Sequence, residues 1–210
     1  MPHDIAPEPV TGLPERPPQG EHILWQGRPD ATALALDAFN LKWVMGYFVL
    51  LAVWRLVAAI DLMPLTEAIA ASTPFLVLGV LVCALLWGVA WVLARATVYT
   101  ITTSRVAMKI GAALIVTLNI PFTRIANVAL DERRGGTGTL ALEASGGMPV
   151  GFLVCWPHTR PWHLARPQAA LRCIPEAARV GALLADAAEA KLSEPQVSRT
   201  RPAPETVAAE

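Results

Sequence analysis

A chain of 210 residues with 54% apolar and 16% charged side chains falls short of the roughly one-quarter charge of a soluble domain and sits with membrane proteins. Seventeen basic residues offset seventeen acidic ones, which excludes the strongly basic balance of a nucleic-acid binder. Cys83, Cys155 and Cys173 form no C-x-x-C pair, which argues against a disulfide framework or thiolate zinc site and fits a reducing compartment.

Residues 1–20 hold Pro2, Pro7, Pro9, Pro14, Pro17 and Pro18. Such a stretch cannot offset its ordering entropy, so a disordered tail is expected, and it lacks the apolar core of a signal peptide. Region 21–40 is expected to be ordered. Glu21–Gly27, EHILWQG, suggests a short strand or turn, docked on a folded domain or lying on a membrane. Asp30 can cap a helix over Ala31–Asn40 that runs on into the next element.

Two apolar runs follow, Leu41–Ile60 and Pro74–Ala94. At about 20 residues and 1.5 Å rise per residue, each matches a hydrocarbon core of about 30 Å. The connector Asp61–Ser72 has two acids and no Lys or Arg, so region 41–95 is expected to be a transmembrane hairpin whose first run acts as an uncleaved anchor. Arg28, Lys42, Arg95, Arg105 and Lys109 flank it, which places both termini in the cytoplasm. Trp43, Tyr47, Phe48, Trp87 and Trp91 form an interfacial aromatic belt.

Arg55 interrupts the first run. A central Arg costs about 2.5–3.5 kcal/mol on insertion scales, so it either snorkels outwards or meets an acidic group on a partner helix. In the second run Gly79 and Ala84-x-x-x-Gly88 supply small residues that permit close backbone approach. They can pack the hairpin itself or receive other helices, a second copy of the chain included.

Region 96–191 switches to a period of two. Thr97–Thr103, Arg105–Ile110, Leu114–Leu118, Ile125–Leu130 and Leu140–Glu143 are expected strands, and Val150–Trp156, apolar on both faces, is an expected central strand. Pro175 and Glu176 open a helix to about Lys191, with Val180, Leu183, Leu184 and Ala187 as its apolar stripe. Residues 192–210 return to tail composition. The expected fold is an α+β membrane protein: a two-helix hairpin plus a cytoplasmic antiparallel β barrel or sandwich capped by a C-terminal helix. Residues 95–191 carry eleven Lys/Arg against six acids, which suits an anionic lipid surface or acidic partner, or plain solvated charge.

The chemistry is sparse. No histidine lies in either apolar run, so lasting pigment ligation inside the membrane is not expected, and transient pigment binding elsewhere stays open. His158 and His163 lack enough neighbouring ligands for a metal. No hydrolase motif occurs, and Arg133–Gly138 lacks phosphate-loop spacing. Catalytic residues, cofactors and metals are therefore not expected. The best candidate surface is Trp156–Pro167, where Trp156, His158, Arg160, Trp162, His163 and Arg166 mix aromatic area with charge. The tryptophans could equally fill the barrel end. Arg55, Ala84 and Gly88 complete the candidate set.

The runs YTITTSRVAMKIG and NIPFTRIANVAL resemble a bacterial pleckstrin-homology-like domain. LPERPPQGEHILWQGRPD, WVMGYFVLLAVWRL and CWPHTRPWHLARPQAALRCIPEA are similar to the PuhB family of photosynthetic complex assembly proteins of purple bacteria. The resemblance covers about residues 6–190. It implies a non-enzymatic, multi-pass factor of the intracytoplasmic photosynthetic membrane. Such a factor would assist assembly of the reaction centre and light-harvesting 1 complex through protein contacts, and no catalytic residues carry over. The turn before Arg105 is too short for the basic loop of phosphoinositide-binding relatives. The alternative is a generic membrane-anchored interaction or lipid-sensing module.

Overall fold

The computed structural model describes residue 13 and residues 17–112, 115–133, 135–146 and 151–193. The two expected tails fall mostly outside these, as do Leu114 and Val150. Ile23–Gly27 (β1) is an edge strand, antiparallel to Val98–Thr102 (β2), with Trp25 opposite Ile101 and Gly27 opposite Tyr99. Pairing gives its backbone partners, packs Trp25 against the core and lets Gln26 Nε2 donate to Thr100 Oγ1 at 3.0 Å. Of the two placements open to this stretch, the sheet is the one adopted.

Asp30 caps Ala31–Asp37 (α1), its Oδ1 accepting from the Ala33 N–H at 2.7 Å. The helix does not run on as expected. Asn40 takes φ 51°, the left-handed region that Asn tolerates better than most side chains, and the chain restarts as Leu41–Ala59 (α2).

The second long helix, Leu65–Ala96 (α3), begins nine residues before the expected start at Pro74. Pro64 takes the starting role, at the N-cap, and Glu67 in the first turn suits the positive end of the helix dipole. Pro74 lies inside, preceded by Ser72 and Thr73, whose hydroxyls donate to the Ala68 and Ile69 carbonyls at 2.8 and 2.9 Å. At 1.5 Å per residue α2 is about 28 Å long and α3 about 48 Å. Both are long and apolar enough to cross a membrane. They pack side by side where Gly79 meets Phe48, and a Cβ on Gly79 would lie 2.7 Å from that of Phe48.

Only Thr97 separates α3 from β2. Arg105–Ile110 (β3) and Val116–Pro121 (β4) complete a four-stranded sheet in the order β1-β2-β3-β4. After one turn of 3-10 helix, Ile125–Glu132 (β5), Thr137–Ala144 (β6) and Ala169–Pro175 (β7) form the second antiparallel sheet. Tyr99, Met108, Ile120, Leu140 and Leu171 fill the core with Val180 and Leu184 of the closing helix, Ala177–Ser193 (α5).

Two further expectations need correction. Val150–Trp156 is not a central strand: Phe152–Cys155 forms a short helix (α4), and the second sheet is completed by β7 at the edge beside β6. A short run apolar on both faces fits a strand or a helix segment equally, so periodicity cannot separate them. The folded domain also does not begin at residue 96. It includes β1, so α1, α2 and α3 are inserted between its first two strands.

Candidate interaction surface

The short helix α1 meets the second sheet at a largely buried ion cluster. Asp37, at the end of α1, accepts from Arg172 Nη2 of β7 at 2.5 Å and pairs with Arg133, beyond β5. Arg172 Nη1 donates to the Pro157 carbonyl at 3.0 Å, while its Nε is buried without a partner among the described residues. Cys173 takes φ 53°, and its carbonyl accepts from the Asp30 N–H at 2.8 Å. Burial, reinforced by the Asp37 charge, pushes the Cys173 thiol up to about 12, so it stays protonated.

His158 is fully buried, which removes it from the expected exposed surface. Its Nδ1 lies 2.5 Å from Tyr99 Oη and its Nε2 3.1 Å from Thr97 Oγ1. Burial, then the Arg172 charge, lowers its pKa to about 3, so the ring is neutral. Tyr99 Oη accepts from the Arg172 N–H at 3.3 Å, and burial raises the phenol well above its ordinary value. With the phenol donating to Nδ1 and Nε2–H donating to Thr97 Oγ1, the phenol and both ring nitrogens are partnered. This is a structural knot with no free nucleophile.

Thr159 is buried too, and from Arg160 on the loop faces outward. Trp162 is 94% exposed, and Arg166 is exposed. Arg160 Nη1 donates to Gln168 Oε1 at 3.0 Å, and His163 Nδ1 lies 2.8 Å from the Pro161 carbonyl. Trp156, 41% exposed, meets Phe39 edge to face at 5.2 Å. Of the two roles open to the tryptophans, Trp162 therefore fills no barrel end, and Trp156 is shared between packing and surface.

Trp156 joins this loop to the helices. With Val154 it forms one wall of an apolar groove of 920 Å³, and Ala84, Gly88, Val92 and Trp91 of α3 line the other. Gly79, not Gly88, closes the hairpin, since a Cβ on Gly88 would meet open space. Arg55 is half-buried and finds no ion-pair partner among the described residues. The structure thus brings Ala84, Gly88 and Trp156 together, leaves Arg55 apart, and holds Arg160, Trp162, His163 and Arg166 on the adjoining loop. No cluster of metal-ligating side chains occurs among the described residues.

The bacterial PH domain family matches residues 36–188. The chain belongs to this family. An uncharacterized 23.7 kDa protein of the puhA 5′ region in Rhodobacter capsulatus is 46% identical over 197 residues, 93% of this chain and 92% of its own length. No solved structure gives a significant match.

Within this PH domain, Asp37, Arg133, Arg172, Tyr99 and Thr97 escape a reading of the sequence. The available signal is a lone acid in ATALALDAF and a lone base in AALRCIP. Charges stranded in apolar runs are rarely buried unless paired.

Proposed function

We propose that this protein is a non-enzymatic membrane assembly factor that acts by contact with reaction-centre and light-harvesting 1 subunits. The observation that carries this reading is the groove joining Ala84 and Gly88 to Trp156. One partner seated there would touch an apolar helix and the neighbouring loop together.

The exposure of Trp54 at 74%, Val80 at 68% and Leu85 at 67% supports insertion in a bilayer. In water, leaving each such side chain unburied forgoes about 1.5–3 kcal/mol. A helix pair also satisfies its own backbone in lipid. Because β1 and β2 pair across the insertion, both ends of the hairpin share one side. The flanking Lys42 and Arg95 favour the cytoplasm as that side. The photosynthetic assignment draws on the PuhB resemblance and agrees with the puhA region named for the Rhodobacter capsulatus relative. Deleting the gene should lower assembled reaction-centre–antenna complex without blocking pigment synthesis; normal complex levels would overturn the reading.

The family match itself favours a second reading, a membrane-anchored interaction or lipid-sensing module of broader use. Affinity purification from detergent extracts separates the two. Recovery of photosynthetic subunits supports assembly, whereas recovery of the protein with lipid alone supports the module.

A further inference from the structure

Beside the groove, on the first-helix side of Trp156, lies a second cavity of 300 Å³ lined by Asn40, the residue before α2. Its volume is at the lower end of small-ligand sites, about 300–1,000 Å³. Arg133 and Arg172 line it with Asp37, Trp162 and Leu164. The two guanidinium groups exceed the Asp37 carboxylate by one positive charge. The adjoining cavity adds Arg160 and His163 against Asp131, so the local balance stays positive.

Arg133 keeps donors in reserve, whereas Arg172 is held within the protein. Arg172 spends Nη1 on Pro157 and Nη2 on Asp37, leaving Nε buried and unpartnered. The Arg133 side chain is 41% exposed and pairs with Asp37 through Nη2, leaving N–H groups able to face a ligand. A planar fork with spare donors matches phosphate oxygens. At the rim Trp162 is 94% and Leu164 64% exposed, beside the entry to α2. Aromatic and apolar side chains so placed suit the boundary between headgroups and acyl chains.

We infer that this cavity holds the phosphate group of an anionic phospholipid of the cytoplasmic leaflet, with Arg133 as the main donor and Trp162 and Leu164 against the glycerol and upper acyl region. The inference rests on the membrane reading above. It adjoins the groove assigned to protein partners, with Trp156 between them, and it would fix the PH domain to the bilayer beside the entry to α2.

The full chain in mild detergent is titrated with phosphatidylglycerol, phosphatidylcholine or inorganic phosphate, and bound species are counted by native mass spectrometry. Phosphatidylglycerol should bind about tenfold more tightly than phosphatidylcholine, and Arg133→Gln should abolish that preference. Trp162→Ala, at a solvated position, should weaken lipid binding severalfold with an unchanged melting temperature. Equal binding of the two lipids overturns the inference, as does a preference that survives Arg133→Gln. Inorganic phosphate binding as tightly as the lipid would identify a free-anion site instead and also overturn it. If Arg133→Gln does not fold, unaltered lipid affinity in Trp162→Ala is decisive against it. Carbonate extraction of membranes reports separately on whether the hairpin spans.

Discussion

Asp37 and Arg172 lie 135 residues apart in the chain and meet at 2.5 Å, joining the short helix ahead of the hairpin to the last strand of the second sheet. Each is nearly inaccessible, with side-chain exposures of 8% and 5%. Removing one partner of a buried pair strands the other charge, at about 3–5 kcal/mol. Asp37→Ala should lose stability of that order in chemical denaturation of the detergent-solubilised protein. The double variant Asp37→Ala/Arg172→Met should recover part of the loss, because the buried charge is then gone and Arg133, 41% exposed, can turn to solvent.

His158 predicts an acid-sensitive fold. Its pKa drops from the ordinary 6.5 to about 3, chiefly through burial. Between those values the unfolded chain binds the extra proton, so stability rises with pH and is lost as pH falls through the window. The slope approaches about 1.4 kcal/mol per pH unit well below pH 6.5. Comparing unfolding free energies at about pH 5 and about pH 7, His158→Gln should show a shallower dependence than wild type by that single-proton share.

The two small-residue positions of α3 should separate cleanly. At Gly79 an added Cβ would lie 2.7 Å from that of Phe48, and Gly79→Val should cost about 1–3 kcal/mol by overpacking. At Gly88 the space is open, so Gly88→Leu should leave the melting temperature unchanged. If the groove seats a partner, the same substitution should lower complex levels in cells. Immunoblots and membrane absorption spectra read both outcomes.

Arg55 offers a parallel test of the first helix. It finds no ion-pair partner among the described residues, so Arg55→Leu should stabilise or spare the isolated protein. Reduced assembled complex at normal protein level would locate a partner's acidic group against α2. Unchanged assembly would leave the hairpin as a tether.

Local pattern makes some of this architecture legible. The alternation of Val106, Met108 and Ile110 marks β3 at its observed bounds, and the apolar runs mark the two long helices. Ala169–Pro175 carries no comparable signal, since AALRCIP lacks alternation and contains Arg172, whose burial depends on distant Asp37. His158 misleads for the same reason. Prolines and bases around it suggest a solvated loop, yet Tyr99 and Thr97, about sixty residues earlier, supply the partners that let it sink. Trp162 and Ala84 stay outside, one of the two placements open to each, because nothing non-local recruits them.

The insertion of the hairpin between β1 and β2 imposes an order on biogenesis. Ile23–Gly27 is synthesised before either long helix, and Val98–Thr102 after both. The first strand must therefore wait unpaired until both helices have been made and, if the hairpin spans a bilayer as proposed, have entered it. If only one helix inserted, the two strands would be stranded on opposite faces, and Trp25 could never reach its place opposite Ile101. On the proposed membrane reading, closure of this sheet would be a topological proofreading step: only molecules whose two crossings are complete could present a folded domain.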